Sequence, residues 1–233
     1  IMKLYSLDHS PYSTRIRAQI RHKNLPIVCI SPPQLKSALL NNIFPFGQLP
    51  VLSLEDGELL GESTVIMNYL EEVYSQRALR GESAIEKARA NMMVRWSDTH
   101  LGPLIRDVLS ADCAAVIGSA ELQVVAELRK IDALVERQLD YRERDIHIGD
   151  FCAVVSIAYT QALFELCAAT SLLDQFPRLL AWWTFSLQRN SALNESVIEM
   201  LEAIKIWLPI ADHRDNYLSG GLLETLSARQ EAA

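Results

Sequence analysis

Three short stretches carry side chains whose types and spacing suit chemistry on a small charged molecule. In Asp8-His9-Ser10-Pro11-Tyr12-Ser13 a serine stands directly before a proline. Proline is at home in the first turn of a helix, so Ser10 takes the place where a hydroxyl meets the positive end of the helix dipole. That place has two readings: an N-cap for the helix's own N–H groups, or a donor to an anion held in front of the helix. In Gln48-Leu49-Pro50-Val51-Leu52 the proline heads an apolar run. It cannot donate to a ladder and belongs at a strand's first position or edge. A cis Leu49–Pro50 bond would make a tight turn and leave the Leu49 backbone free to pair outside the protein. In Gly61-Glu62-Ser63-Thr64 the pair Glu62-Ser63 opens a helix whose unpaired N–H groups favour an anion. A free backbone edge beside an anion-ready helix start makes a cradle for a small, charged peptide.

The elements that must hold these stretches follow from pattern. Lys3-Leu4-Tyr5-Ser6-Leu7 reads as a strand, and Ile16, Ala18 and Ile20 with Arg15, Arg17 and Arg21 continue the helix begun at Pro11. The run after Pro50 turns at Asp56-Gly57 as a hairpin. Val65, Ile66, Tyr69, Leu70 and Val73 follow a helical period. Charge and glycine then break the pattern at 75–83, as a linker does. Beyond it the chain reads as helix after helix. One long segment covers 83–111 with Met92, Met93, Trp96 and Leu101. A second covers 120–144 with Leu122, Val125, Leu128, Ile131, Leu134 and Val135 in register. The segment 154–169 is apolar nearly all round and should be the central buried helix. Segments 176–189 and 193–207 complete a bundle. These patterns divide the chain into 1–76, a linker at 77–82, a helical domain at 83–211 and a polar tail at 212–233.

Composition sets bounds on function. The chain has 233 residues, 49% hydrophobic, with a net charge of −7 and a pI near 5.3. It carries no basic footprint for nucleic acid, no apolar run of membrane-spanning length and no secretory leader pattern. Cys29, Cys113, Cys152 and Cys167 are scattered without CxxC or metal spacing. Reduced, buried or half-buried thiols in a cytoplasmic protein are expected.

The order of strand, Ser10-Pro11-Tyr12-Ser13 helix, strand, helix, Leu49-Pro50 strand, strand and Glu62-Ser63 helix resembles the thioredoxin-like half of a cytosolic-type glutathione transferase, of a serine-type, bacterial-like kind. Phe46-Gly47-Gln48-Leu49-Pro50-Val51-Leu52 and Gly61-Glu62-Ser63 are similar to that family's glutathione-binding motifs. Asp174-Gln175-Phe176-Pro177-Arg178-Leu179-Leu180-Ala181-Trp182-Trp183 resembles its helical domain. The likeness runs over about residues 2–200. It implies an α/β thioredoxin-like domain, with a mixed four-stranded sheet and three helices, followed by an all-α bundle.

The same resemblance implies roles. Ser10 would donate to the glutathione thiolate without itself being the nucleophile. Glu62 would take the γ-glutamyl amine, and Ser63 with its N–H the neighbouring carboxylate. Leu49 would pair its backbone with the cysteinyl unit as an added strand does, with Pro50 fixing that geometry. Gln48 and Lys36 would reach the far carboxylate. A small apolar electrophile would sit against the helical domain, with Tyr12, Trp96 and His100 as contacts and Asp98, Thr99, Arg106 and the Gly102-Pro103 break along the cleft. Trp96 also reads as core, and His100 as a surface histidine. The family resemblance further implies a homodimer.

Two features depart from the family. Positions Ala153 and Ser156, after Gly149-Asp150, lack the Ser/Thr cap and Asp of a reciprocal capping box, unless Asp150 or Cys152 shifts the helix start. Phe44 stands where asparagine is common. Serine at position 10 and Ser13 leave no attacking thiol for mixed-disulfide chemistry. Three function classes remain: a transferase (conjugation, ether cleavage, dehalogenation or isomerisation), a non-catalytic carrier of an apolar ligand, and a protein-interaction module. Retention of Ser10, Pro50, Glu62 and Ser63 together argues against the last.

Overall fold

The computed structural model describes residues 1–31, 44–110, 114–138, 141–168 and 171–208. Strand β1 (Lys3–Tyr5) places Leu4, fully buried, between exposed Lys3 and half-buried Tyr5, the alternation of a strand with one face in a core. Helix α1 (Pro11–Lys23) follows, capped by Ser10 and closed by Asn24 in the left-handed region, φ 54. Strand β2 (Val28–Ile30) returns parallel to β1, with Leu4 opposite Cys29. A short 3-10 turn (Pro45–Gly47) leads to β3 (Val51–Ser53), antiparallel to β1 with Leu52 opposite Leu4. A turn at Gly57 (φ 93) connects it to β4 (Leu59–Leu60). The sheet is four-stranded and mixed, in the order β2-β1-β3-β4. The helix expected between β2 and Pro50, and Lys36, lie outside the described residues. So do Cys113 and the tail.

Helix α2 (Ser63–Val73) buries Ile66, Met67 and Leu70. Of the five apolar residues in helical period, Val65 and Val73 are 52% and 47% exposed. The segment expected to be a linker is anchored at Leu79. Leu79 is fully buried, its N–H donates to Glu71 (3.0 Å) and its carbonyl accepts from the Ile148 N–H (2.7 Å). Glu71 also pairs with buried Lys23 at 3.1 Å.

Helix α3 (Ala84–Trp96) starts with a Ser83–Glu86 capping box. It passes through a π-helical turn (Ser97–Leu101) into α4 (Gly102–Leu109). Pro103 has no N–H and its ring would strike the carbonyl four residues earlier. The wider turn absorbs this, with the Gly102 N–H reaching back five residues to the Ser97 carbonyl. The expected break is therefore a continuous run with one loosened turn.

Helix α5 (Ala114–Gln138) is already helical at Ala114, about six residues ahead of its pattern, residues 141–144 are turn and bend, and Leu122, in the apolar register, is 74% exposed. Helix α6 (Ile148–Ala168) is the central one, with residues 151–160 all buried. Its capping box lies upstream of Ala153, at His147 and Asp150, so the helix start is shifted toward Asp150. The His147 N–H donates to Asp150 Oδ2 (2.9 Å), and the Asp150 N–H donates to His147 Nδ1 (3.2 Å). A histidine ring nitrogen does what a serine hydroxyl does elsewhere, so a search for Ser or Thr passes over it. Arg144 and the Trp182 indole N–H also hold Asp150. Helices α7 (Pro177–Arg189) and α8 (Ser191–Trp207) complete the bundle.

The two halves share one core. Helix α1 packs against α6 and α8, with His22 edge-on to Phe151 at 5.7 Å and Arg21 bonded to Ser196 and Glu199. Cys29 is exposed on the edge strand, against the expectation of burial, whereas Cys152 is buried. No described helix is long and apolar enough to cross a membrane.

Candidate functional site

The three stretches meet at one end of the sheet. Tyr5, the last residue of β1, pairs with Val51, the first of β3, so the loop entering α1 and the Leu49–Pro50 step are neighbours. Arg15 joins α1 to the first residue of α2, since its Nε donates to Ser63 Oγ at 3.1 Å.

Ser10 Oγ accepts from the Ser13 N–H at 3.3 Å, the capping bond that starts α1. Among the described residues its own O–H donates to no group, leaving that proton for an acceptor ahead of the helix. The loop behind it is tied down. The Leu7 N–H donates to Ser13 Oγ (3.1 Å), Arg17 donates to the Leu7 and Asp8 carbonyls (2.9 and 2.8 Å), and Ser31 Oγ donates to the Asp8 carboxylate (3.1 Å). The His9 imidazole stacks flat on Trp207 at the end of α8. Burial pushes the His9 pKa down to about 4, so the ring is neutral near pH 7.

The Leu49–Pro50 peptide is cis, Pro50 is buried and Leu49 is half-buried. The Leu49 backbone N–H and C=O have no partner among the described residues. Gln48 is exposed beside them. Glu62 is also exposed and sits at φ 63, a backbone region that side chains beyond Cβ rarely occupy. Such strain persists where the surroundings over-determine the residue, and it gathers at ligand clamps.

Ser63 is buried, and its hydroxyl oxygen accepts from both Nε and Nη2 of Arg15. Arg15 is 2% exposed and its charge is met by Asp98, Nη1 to Oδ1 at 2.7 Å. Thr64 Oγ1 donates to the other Asp98 oxygen at 2.9 Å. From sequence pattern alone Arg15 is only a member of the helix and Asp98 only a residue along a cleft. Their pairing depends on the helical half folding back over α1, which no local pattern announces.

Tyr12 is half-buried, with the Arg15 guanidinium carbon 5.0 Å from its ring centroid. Burial raises the pKa of its hydroxyl, which therefore stays protonated. The two other expected substrate contacts both approach Glu127. Trp96 is 6% exposed and donates its indole N–H to Glu127 of α5 at 3.3 Å, inside the helical half. His100 is largely exposed, with Nδ1 3.6 Å from the same carboxylate. Trp96 packs as core. Among the described residues no cluster of side chains could hold a metal ion.

The family model described as "Glutathione S-transferase, N-terminal domain" matches residues 4–78. The chain is similar to glutathione S-transferase omega-2 of Rattus norvegicus, 31% identical over 201 residues that cover 83% of this chain and 77% of the relative. Its fold is similar to that of the Tau class glutathione S-transferase of mango, Mangifera indica, with a TM-score of 0.75 at 20% identity over 90% of this chain and 98% of the other. It is likewise similar to Ure2p5 from Phanerochaete chrysosporium, cocrystallized with 1-(S-glutathionyl)-2,4-dinitrobenzene, with a TM-score of 0.72 at 16% identity over 88% and 96% of the two chains.

Proposed function

This chain belongs to the glutathione S-transferase family, and we propose that it binds glutathione across the starts of α1 and α2 and ionises its thiol for attack on a small electrophile. The observation that carries the reading is the Ser10 hydroxyl, engaged by Ser13 as an acceptor and holding its own proton in front of α1. A free thiol has a pKa of about 8.5. Lowering it by about two units requires about 2.7 kcal/mol of preference for the thiolate. One hydroxyl donor to an anion together with a helix N-terminus supplies a preference of that order.

The remaining groups sort by charge. Glu62 takes the γ-glutamyl amine. The Ser63 oxygen is already an acceptor for Arg15, so its O–H and N–H are the donors for the γ-glutamyl carboxylate. Leu49 pairs its free N–H and C=O with the cysteinyl unit, Pro50 sets that edge, and Gln48 and Lys36 reach toward the glycyl carboxylate. In the reaction the thiol proton passes to water. A C–S bond then forms from the sulfur lone pair, and the bond to the leaving group breaks with its pair going to that group. Holding both reactants in one cleft adds the proximity contribution.

A symmetric homodimer belongs to the same reading. Phe46 is 76% exposed on the loop before β3, and Val65 and Val73 stand out from α2. Sedimentation should give twice the chain mass.

The test is an ultraviolet titration of glutathione thiolate absorbance on the protein, wild type beside Ser10→Ala. A bound-thiol pKa well below 8.5 that rises in the variant is the expected result. Binding with no shift would point to a carrier, and absence of binding would refute the glutathione reading.

A further inference from the structure

Gly102 is a helical glycine whose missing side chain has a use. A Cβ there would stand 2.7 Å from the Tyr12 hydroxyl and 4.0 Å from Arg106 Nη1. The bare backbone of α4 is thus a floor over which a phenol from α1 and a guanidinium from the next turn of α4 converge. We propose that this pair seats a carboxylate on the electrophile, so that the enzyme selects anionic electrophiles with an apolar body. The inference rests on the glutathione reading above and names the class of its second substrate.

The two guanidiniums near Tyr12 differ in what they have left to offer. Arg15, on the ring face, is buried and spent on Asp98 and Ser63. Arg106 is exposed, and among the described residues its side chain has no carboxylate partner. The Tyr12 hydroxyl likewise has no hydrogen-bond partner there and is kept protonated by burial. A guanidinium fork and a phenolic O–H are donors only toward an anion, and a carboxylate has the lone pairs to accept from both. Tyr12 is the second residue of α1, two beyond Ser10, which places a group held at its hydroxyl beside the thiol end of the cradle. A neutral electrophile leaves Arg106 in water, gaining nothing from it.

The experiment compares chlorodinitrobenzoate with chlorodinitrobenzene as electrophiles, each kcat/KM divided by the uncatalysed rate with glutathione. In both, the thiolate sulfur bonds the ring carbon and chloride leaves with the bonding pair. The wild-type ratio should favour the benzoate, fall about fivefold in Arg106→Gln, recover in part in Arg106→Lys, and shrink with added salt. An unchanged ratio in Arg106→Gln overturns the inference. The two glutathione conjugates, titrated by calorimetry, give the same comparison without turnover. A preference for the carboxylated conjugate in a protein that turns over neither electrophile would sink the transferase chemistry and support the carboxylate seat. Equal affinities beside normal turnover would overturn the seat alone.

Discussion

His9 and Trp207, from opposite ends of the described chain, lie face to face with ring centroids 4.0 Å apart and planes inclined by only 6°. Because His9 adjoins Ser10, the end of the last described helix is in direct contact with the loop that carries the proposed thiolate donor. The contact also removes the imidazole from water, which is why its pKa is depressed to about 4.

A depressed histidine pKa has a definite sign in stability. Between about pH 6.5 and pH 4 the unfolded chain binds a proton that folded His9 refuses. The His9 contribution is therefore complete above about pH 6.5 and is lost as the pH falls toward 4. His22 and His147, also depressed by burial, act in the same direction. Thermal unfolding of His9→Asn and wild type across this range should show a shallower fall in Tm for the variant.

Ser10→Ala should act in two separable ways. Loss of the cap on α1 is expected to cost about 1 kcal/mol in urea denaturation. Turnover should fall with the rise in bound-thiol pKa, while glutathione affinity stays nearly unchanged because no anchor is removed. Equal turnover would end the donor role.

Glu62→Ala should weaken glutathione binding first, since the exposed carboxylate is the proposed partner of the amine. Calorimetry giving the wild-type affinity would refute the anchoring role.

Arg15→Ala removes the buried member of the pair, leaving half-buried Asp98 with only the Thr64 hydroxyl and Ser63 without its donor. A loss of about 3 kcal/mol is expected from breaking such a pair, along with weaker glutathione binding as Ser63 turns free. A double-mutant cycle with Asp98→Asn measures the coupling, and additivity would show that the pair does not act as a unit.

His147→Ala should destabilise α6 by about 1 to 2 kcal/mol, and His147→Ser should restore most of it. Equal urea midpoints for wild type and the alanine variant would show that Asp150 holds the helix start through Arg144 and Trp182 alone.

Much of the architecture was legible in the residues because it depends on local rules. Pro11 behind Ser10, Asp56-Gly57 and the nearly all-apolar segment 154–169 each specify a cap, a turn or a buried helix within a few positions. Errors arose where a side chain answers to something distant. Val65 and Leu122 fit an apolar period and yet are 52% and 74% exposed. The box at His147 escaped notice because an imidazole took the place of a hydroxyl.

The sequence by itself determined the order of elements, the two helix starts and the proline step between them, since capping, turn chemistry and hydrophobic period act over a few residues. Only the tertiary structure decided that Arg15 meets Asp98 under Ser63, that Tyr12 and Arg106 converge over Gly102, and that Trp207 covers His9. Those contacts form when the helical half closes on α1. Chain order leaves them open because the geometry that selects each pair is that of packed helices.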